Sequence, residues 1–304
     1  MTIQEMQNEI LRLKKERDVF ILAHSYERHE ITDIADVVGD SYRLACAVKN
    51  VRHKTVLMCG VRFMAETVKI LSPEKRVLLS HKEAGCPMAD GLSAEILSDL
   101  QKQHPNAVTV AYINTTAEVK ALSDVCVTSS SAVKVISRLP DKEILFVPDQ
   151  NLGAYCAKQL PDKTFYFFHG GCPIHMNASE RDVERARREH PRALLLVHPE
   201  CFEEVVEQAD FVGSTSGIMD AVRASTHDEF IIGTDNSIRE HLEFEFPDKK
   251  FYPLSKKLMC VNMRLTTLKN VRDALLGDGE EITLDEHLRV SAKRCIDRMI
   301  SLGG

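Results

Sequence analysis

The sequence has no apolar stretch of membrane-spanning length, no long basic run, no leader-like start and no linker rich in glycine, serine or proline. Each absence excludes something. A helix needs about 20 apolar residues to cross a bilayer, so no membrane partner is expected. Without basic runs, and with a formal net charge of −6, nucleic acid is not expected as a partner either. The start, Met1-Thr-Ile-Gln-Glu-Met, reads as a charged amphipathic helix rather than a signal peptide, which points to the cytoplasm. In that compartment the nine cysteines do not read as disulfides. With no linkers, any domains in these 304 residues must pack tightly against one another.

What the sequence does contain is a repeat. Cys86, Cys172 and Cys260 are spaced by 86 and 88 residues, and each follows a Lys-led apolar run starting at Lys75, Lys163 or Lys250. Asp36, Asp124 and Asp210 are each followed five residues later by a hydroxyl: Ser41, Ser129 and Thr215. Twelve residues before each Asp stand His24, Tyr112 and His198, and two residues after those come Tyr26, Asn114 and Glu200. A period near 87 is too long for a solenoid unit and matches a small domain.

Buried apolar runs alternate with amphipathic helical segments, the pattern of parallel strands in α/β layers. Strands are expected at 19–23, 56–59 and 77–79, at 108–111, 144–147 and 165–168, and at 194–197, 230–232 and 251–254. Helices are expected at 3–16, 31–38, 41–48, 64–71 and 132–137, with another capped by Ser93 and running to Gln103. Tail helices at 266–276 and 284–302 are expected to pack on the first unit. The resulting fold is α/β: three pseudo-threefold-related, three-layer αβα domains with parallel sheets around a central cavity, plus C-terminal helices. The domains are 1–86 with 261–304, 87–172, and 173–260.

Ligands in parallel α/β sheets collect at the carboxyl ends of strands. Around a pseudo-threefold axis the His24, Tyr112 and His198 set, the Ser41, Ser129 and Thr215 set, and the three cysteines would share one cavity. Three thiolates without a fourth equivalent suit a 4Fe-4S cluster with one open iron, able to act as a Lewis acid on a substrate oxygen. Zinc is the rival, with His175 as a possible fourth ligand. The hydroxyls could be helix N-caps or an anion site. Cys46, Cys59, Cys126, Cys156, Cys201 and Cys295 have no threefold counterparts and read mostly as small buried apolar residues. Glu200, a carboxylate at a strand end facing a metal and an anion, is the candidate base, and burial there is expected to raise its pKa against the pull of iron.

Over nearly its whole length the chain resembles the quinolinate synthase family. The likeness rests on Ile21-Leu-Ala-His24-Ser-Tyr26, Asp33-Ile-Ala-Asp36-Val-Val-Gly-Asp-Ser41, Gly60-Val-Arg-Phe-Met-Ala-Glu66 and Gly85-Cys86-Pro-Met-Ala-Asp90. It extends through Tyr112-Ile-Asn114-Thr-Thr-Ala-Glu118, Val197-His198-Pro-Glu200-Cys and Gly213-Ser-Thr-Ser-Gly217. Glu27 stands where the family usually has Gln, Ser131 where Asn is common, and the Cys-x-x-Cys-x-x-Cys run of some members is absent around Cys260.

The resemblance implies condensation of iminoaspartate with dihydroxyacetone phosphate to quinolinate, with loss of phosphate and water, on an open-site 4Fe-4S cluster held by Cys86, Cys172 and Cys260. It also implies a partner that supplies iminoaspartate, an L-aspartate oxidase or dehydrogenase. By the same resemblance Tyr26, Tyr112 and Asn114 line the reacting centre, and His24 holds the phosphorylated substrate. His175, His198, Ser214 and Thr215 bind the dicarboxylate, with His198 also counted among the catalytic residues. Two other readings compete: a reductive dehydratase of the kind that makes isoprenoid diphosphates, and a zinc or iron sensor. The first would need electrons and a more basic pocket, and the second has no use for Tyr26, Tyr112, Asn114 and Glu200.

Overall fold

The computed structural model describes residues 1–303. Three parallel four-stranded sheets follow one another along the chain. The first holds β1 (Val19–His24), β2 (Val37–Gly39), β3 (Thr55–Cys59) and β4 (Arg76–Leu79). The second holds β5 (Val108–Tyr112), β6 (Val125–Val127), β7 (Glu143–Val147) and β8 (Thr164–Phe167). The third holds β9 (Leu194–Val197), β10 (Phe211–Val212), β11 (Glu229–Gly233) and β12 (Lys250–Pro253). Across each sheet the order is second strand, first, third, fourth, and a short β13 (Glu280–Glu281) adds an antiparallel edge to β4.

These strands are apolar without interruption because helices cover both faces. Along β1, Leu22 enters one core while Ile21 and Ala23 enter the other, and in β9 Leu196 faces away from Leu195 and Val197. Caps fix the helix starts. Thr2 caps Ile3–Glu16 in a box with Glu5, Ser93 caps Ala94–Gln103, and Ser179 caps Glu180–Glu189, so that orphan first-turn N–H groups are satisfied.

The repeated Asp is a structural clasp. The side chains of Asp36, Asp124 and Asp210 accept from the backbone N–H of Ile21, Thr109 and Leu195 at 2.7, 2.8 and 2.8 Å. Their own N–H groups donate back to the carbonyls of the same three residues. Each clasp starts a short edge strand, β2, β6 or β10, that periodicity cannot reveal. The expected helix at 31–38 is therefore one turn, His29–Thr32, followed by β2; cross-strand pairing overrides local propensity there.

The tail also departs from expectation. Helix Leu268–Asp273 does pack on the N-terminal helix of the first unit. The last helix, Glu286–Ser301, packs mainly on helix Ala117–Leu122 and β6 of the second unit, and also touches helix Arg62–Leu71 of the first. Its apolar face of Ala292, Cys295, Ile296 and Met299 is fully buried, which fixes that placement.

Candidate active site

A cavity of about 280 Å³ lies where strand ends from all three units meet. His24 and Tyr26, Tyr112 and Asn114, and His198 and Glu200 line it from β1, β5 and β9. Ser41, Ser129 and Thr215 line it too, as do Cys86, Cys172, Cys260 and His175. A wider cleft of about 560 Å³ beside Tyr155 and Phe202 is bordered by the half-exposed ion pair of Lys158 with Glu203 and Glu207; it has more room and less convergent chemistry.

The hydroxyls at this cavity are not spent as caps. In two units capping falls to the residue before the hydroxyl, Asp40 and Ser214 accepting from the N–H of Arg43 and Gly217 at 2.9 and 3.1 Å, while in the second unit Thr128 closes a turn by accepting from the Ser131 N–H at 3.2 Å. Ser41, Ser129 and Thr215 line the cavity, Thr215 with its hydroxyl against that of Tyr26. Ser214, expected beside Thr215 at the dicarboxylate, accepts from the Gly217 N–H as the cap of helix Thr215–Ala224.

Each cavity cysteine opens one helical turn. The carbonyls of Cys86, Cys172 and Cys260 accept from the N–H of Asp90, Met176 and Arg264 at 2.8, 3.0 and 3.2 Å. Burial pushes the Cys86 thiol up to about 12, against hydrogen bonds from the Ala89 and Met88 N–H groups. Burial likewise takes Cys172 well above its ordinary value, opposed by the His175 N–H, and Cys260 to about 11, opposed by the Met263 and Asn262 N–H groups. Amides aimed at buried sulfur stabilise thiolates once a cation replaces the proton. Carboxylates hold the cysteine backbones: Asp149 accepts from Cys172 N–H at 3.1 Å, Asp235 from Cys260 N–H at 2.6 Å, and Asp90 from Cys86 N–H at 3.0 Å.

Glu200 is fully enclosed. Tyr112 donates its hydroxyl to Glu200 Oε1 at 2.6 Å, His175 Nδ1 lies 2.8 Å from Oε2, and His198 Nδ1 lies 3.9 Å from Oε1. The two imidazoles stack at 4.6 Å. Burial alone would raise the carboxyl, but the His198 and His175 imidazoles and the Tyr112 hydroxyl outweigh it and hold Glu200 below its ordinary range, the reverse of the raised pKa expected from sequence. Burial pushes His198 down to about 3 and His24 to about 4, so both are neutral near pH 7. Tyr26 donates to or accepts from Thr215 at 2.8 Å and Thr234 at 2.9 Å, and Thr234 also meets His175 Nε2 at 2.9 Å. Cys172, His175 and Glu200 lie close enough together to share a metal ion.

The family model for quinolinate synthetase A protein matches residues 8–301. The chain belongs to the quinolinate synthetase A family. It is 46% identical to the quinolinate synthase of Caldicellulosiruptor bescii over 303 residues, 100% of each chain. It is 48% identical to that of Clostridium kluyveri over 295 residues, 97% of each chain, and 46% identical to that of Geobacter metallireducens over 302 residues, 99% of each. These relatives are enzymes, and so is this chain.

Glu27 is 0% exposed with both carboxylate oxygens unpartnered. Burial raises its pKa well above the ordinary value, against the pull of Thr266, Arg264 and Arg28. A neutral carboxyl has nearly the shape of a glutamine amide. Sequence reasoning missed Thr234, Asp149 and Asp235. The two Asp lie 86 residues apart, each two positions beyond a strand, so the same repeat could have found them. No helix of the described residues is long and apolar enough to cross a membrane.

Proposed function

We propose that this enzyme condenses iminoaspartate with dihydroxyacetone phosphate to quinolinate, releasing phosphate and water, in NAD biosynthesis. One observation carries the reading: a single cavity receives a thiol, a hydroxyl and a strand-end polar group from each of three units with the same strand order. We read the units as 1–86 with 261–304, 87–172 and 173–260, related by a pseudo-threefold axis through that cavity.

Cys86, Cys172 and Cys260 would hold a 4Fe-4S cluster, for which three converging thiols with aimed amides are a suitable donor set. When bound, such a cluster supplies a Lewis acid for a substrate oxygen. Everything else falls to this chain's own side chains. Ser41 and Ser129 hold the phosphate, with neutral His24 beside them. His175, His198, Ser214 and Thr215 take the dicarboxylate. Glu200, ionised at neutral pH, removes protons from carbon, and an anion bound beside it raises its affinity for them. Tyr26, Tyr112 and Asn114 orient the reacting centre, and the buried walls exclude water. The reaction belongs in the cytoplasm, with iminoaspartate supplied by an L-aspartate oxidase or dehydrogenase.

The test is turnover under anaerobic conditions: quinolinate and inorganic phosphate should appear in equal amounts from the two named substrates and from neither alone. A single ion held by Cys172, His175 and Glu200 is the rival reading, favoured by how closely these groups lie. Metal analysis separates the two, because zinc alone would support the rival.

A further inference from the structure

Six cysteines take no part in the cavity, and two of them meet. Cys126 in β6 and Cys295 in the last helix are both fully buried, stand 169 residues apart in the chain, and bring their Sγ atoms to 2.9 Å. Among the described residues no other pair of cysteine sulfurs comes within hydrogen-bonding distance. Lys120 lies beside them, itself fully buried, with its ammonium donating to the Thr115 carbonyl and no carboxylate within ion-pair distance among the described residues. Burial would raise the Cys126 thiol, but the hydrogen bond from Cys295 and the Lys120 charge outweigh it and lower it. Cys295 is raised, first by that hydrogen bond and then by burial. One sulfur is thus prepared to be a nucleophile and the other to carry the proton.

We propose that Cys126 and Cys295 are a disulfide-forming pair that fastens the last helix to the second sheet. The oxidant is a low-molecular-weight disulfide. The Cys126 thiolate attacks one of its sulfurs, forming a mixed disulfide and releasing one thiolate. Cys295 then gives up its proton and attacks the Cys126 sulfur, the Cys126–Cys295 bond forms, and the second small thiolate leaves. Two protein thiols are oxidised, one small disulfide is reduced, and the two protons end on the released thiols. The sulfurs need only close from 2.9 Å to about 2.05 Å. Because both are buried, exchange occurs from states in which the terminal helix has opened. The bond would close a loop of about 170 residues and restrict the unfolded chain accordingly. This site involves none of the cavity cysteines.

The experiment exposes the anaerobically purified holoenzyme to glutathione disulfide, alkylates the remaining thiols and maps tryptic peptides. Peptide 121–134 should be found joined to 295–298, each containing one cysteine. The melting temperature should rise by about 4–8 °C and return on reduction. Cys295→Ala should abolish both the linked peptide and the redox-dependent shift while leaving iron content unchanged. If both thiols of the folded wild type still alkylate after an exposure that oxidises the unfolded chain, or if Cys126 is joined to a different cysteine, the proposal is overturned; this outcome needs no variant to fold.

Discussion

The first and second units are joined differently from the way the third joins either. Between the first two, one continuous apolar core runs from Val61, Phe63 and Met64 through Ile113 and Ala117 to Ile296 and Met299 of the last helix. The third unit keeps its own cores on the two faces of its sheet and meets the rest largely through polar groups. Tyr26 reaches Thr215 and Thr234, Ser216 donates to Asp40 at 2.9 Å, Ser237 donates to the Tyr26 carbonyl at 2.8 Å, Tyr112 donates to Glu200, and Asn151 donates to the Glu200 carbonyl at 3.0 Å. Apolar burial supplies most of the stability in such a fold, whereas polar contacts exchanged with water contribute little net. Stability therefore resides mainly in the first joint, whereas in the second Tyr26, Asp40, Tyr112, Glu200 and Thr215 both attach the third unit and line the cavity.

The sharpest way to break that division is to cut each joint once. Ile296→Ala should cost about 2–5 kcal/mol of stability, as buried Ile truncations do, visible as a lower denaturant midpoint, while turnover well below the melting temperature stays near wild type. Glu200→Gln keeps shape and can still accept from Tyr112. It should leave metal content intact and lower quinolinate formation by about 100-fold or more. A Gln variant with most of its activity and its metal would move the base to Tyr26 or His198.

Two smaller effects refine the comparison. Glu27 sits in the polar joint near Arg264 and Asp235. Its folded pKa is raised, so folding takes up a proton, and the stability it permits is fully present below the ordinary carboxyl pKa and lost as pH rises. Glu27→Gln should therefore be more stable than wild type at pH 7. The gap should shrink by up to about 1.4 kcal/mol per pH unit as pH falls toward 4.5, measured as paired melting curves. A gap independent of pH would mean that Glu27 is ionised. Ser129→Ala should raise the KM for dihydroxyacetone phosphate roughly ten- to hundredfold, the scale of one hydrogen bond to an anion, and leave that for iminoaspartate nearly unchanged. Equal shifts would mean that the hydroxyl only shapes the loop.

Long apolar strands and the cap at Ser93 were legible because each is written locally: the run 19–23 and Ser93 need no tertiary context. The edge strands β2, β6 and β10 were not, since two or three residues carry no period and the Asp clasp that makes them acts across the chain. The cavity residues at strand ends could be listed from the repeat. Which polar side chains cap a helix was visible only in the structure, where Asp40 and Ser214 take the caps beside Ser41 and Thr215. Thr234 has no counterpart at Pro148 or Gly60, so the repeat hid it. The last helix carries an apolar face that fits any buried surface, and only packing chose the second unit. Cys126 and Cys295 looked like unrelated apolar residues because nothing in their spacing says that they touch.

The central claim, that one thiol from each unit serves a shared centre, is tested most directly by iron and sulfide analysis of anaerobically prepared wild type beside Cys86→Ala, Cys172→Ala and Cys260→Ala. The account predicts about four iron and four sulfide per wild-type chain, with a broad absorbance near roughly 400 nm, and loss of both in every single variant. Full iron loading of Cys260→Ala, or a lone zinc in the wild type, would contradict it.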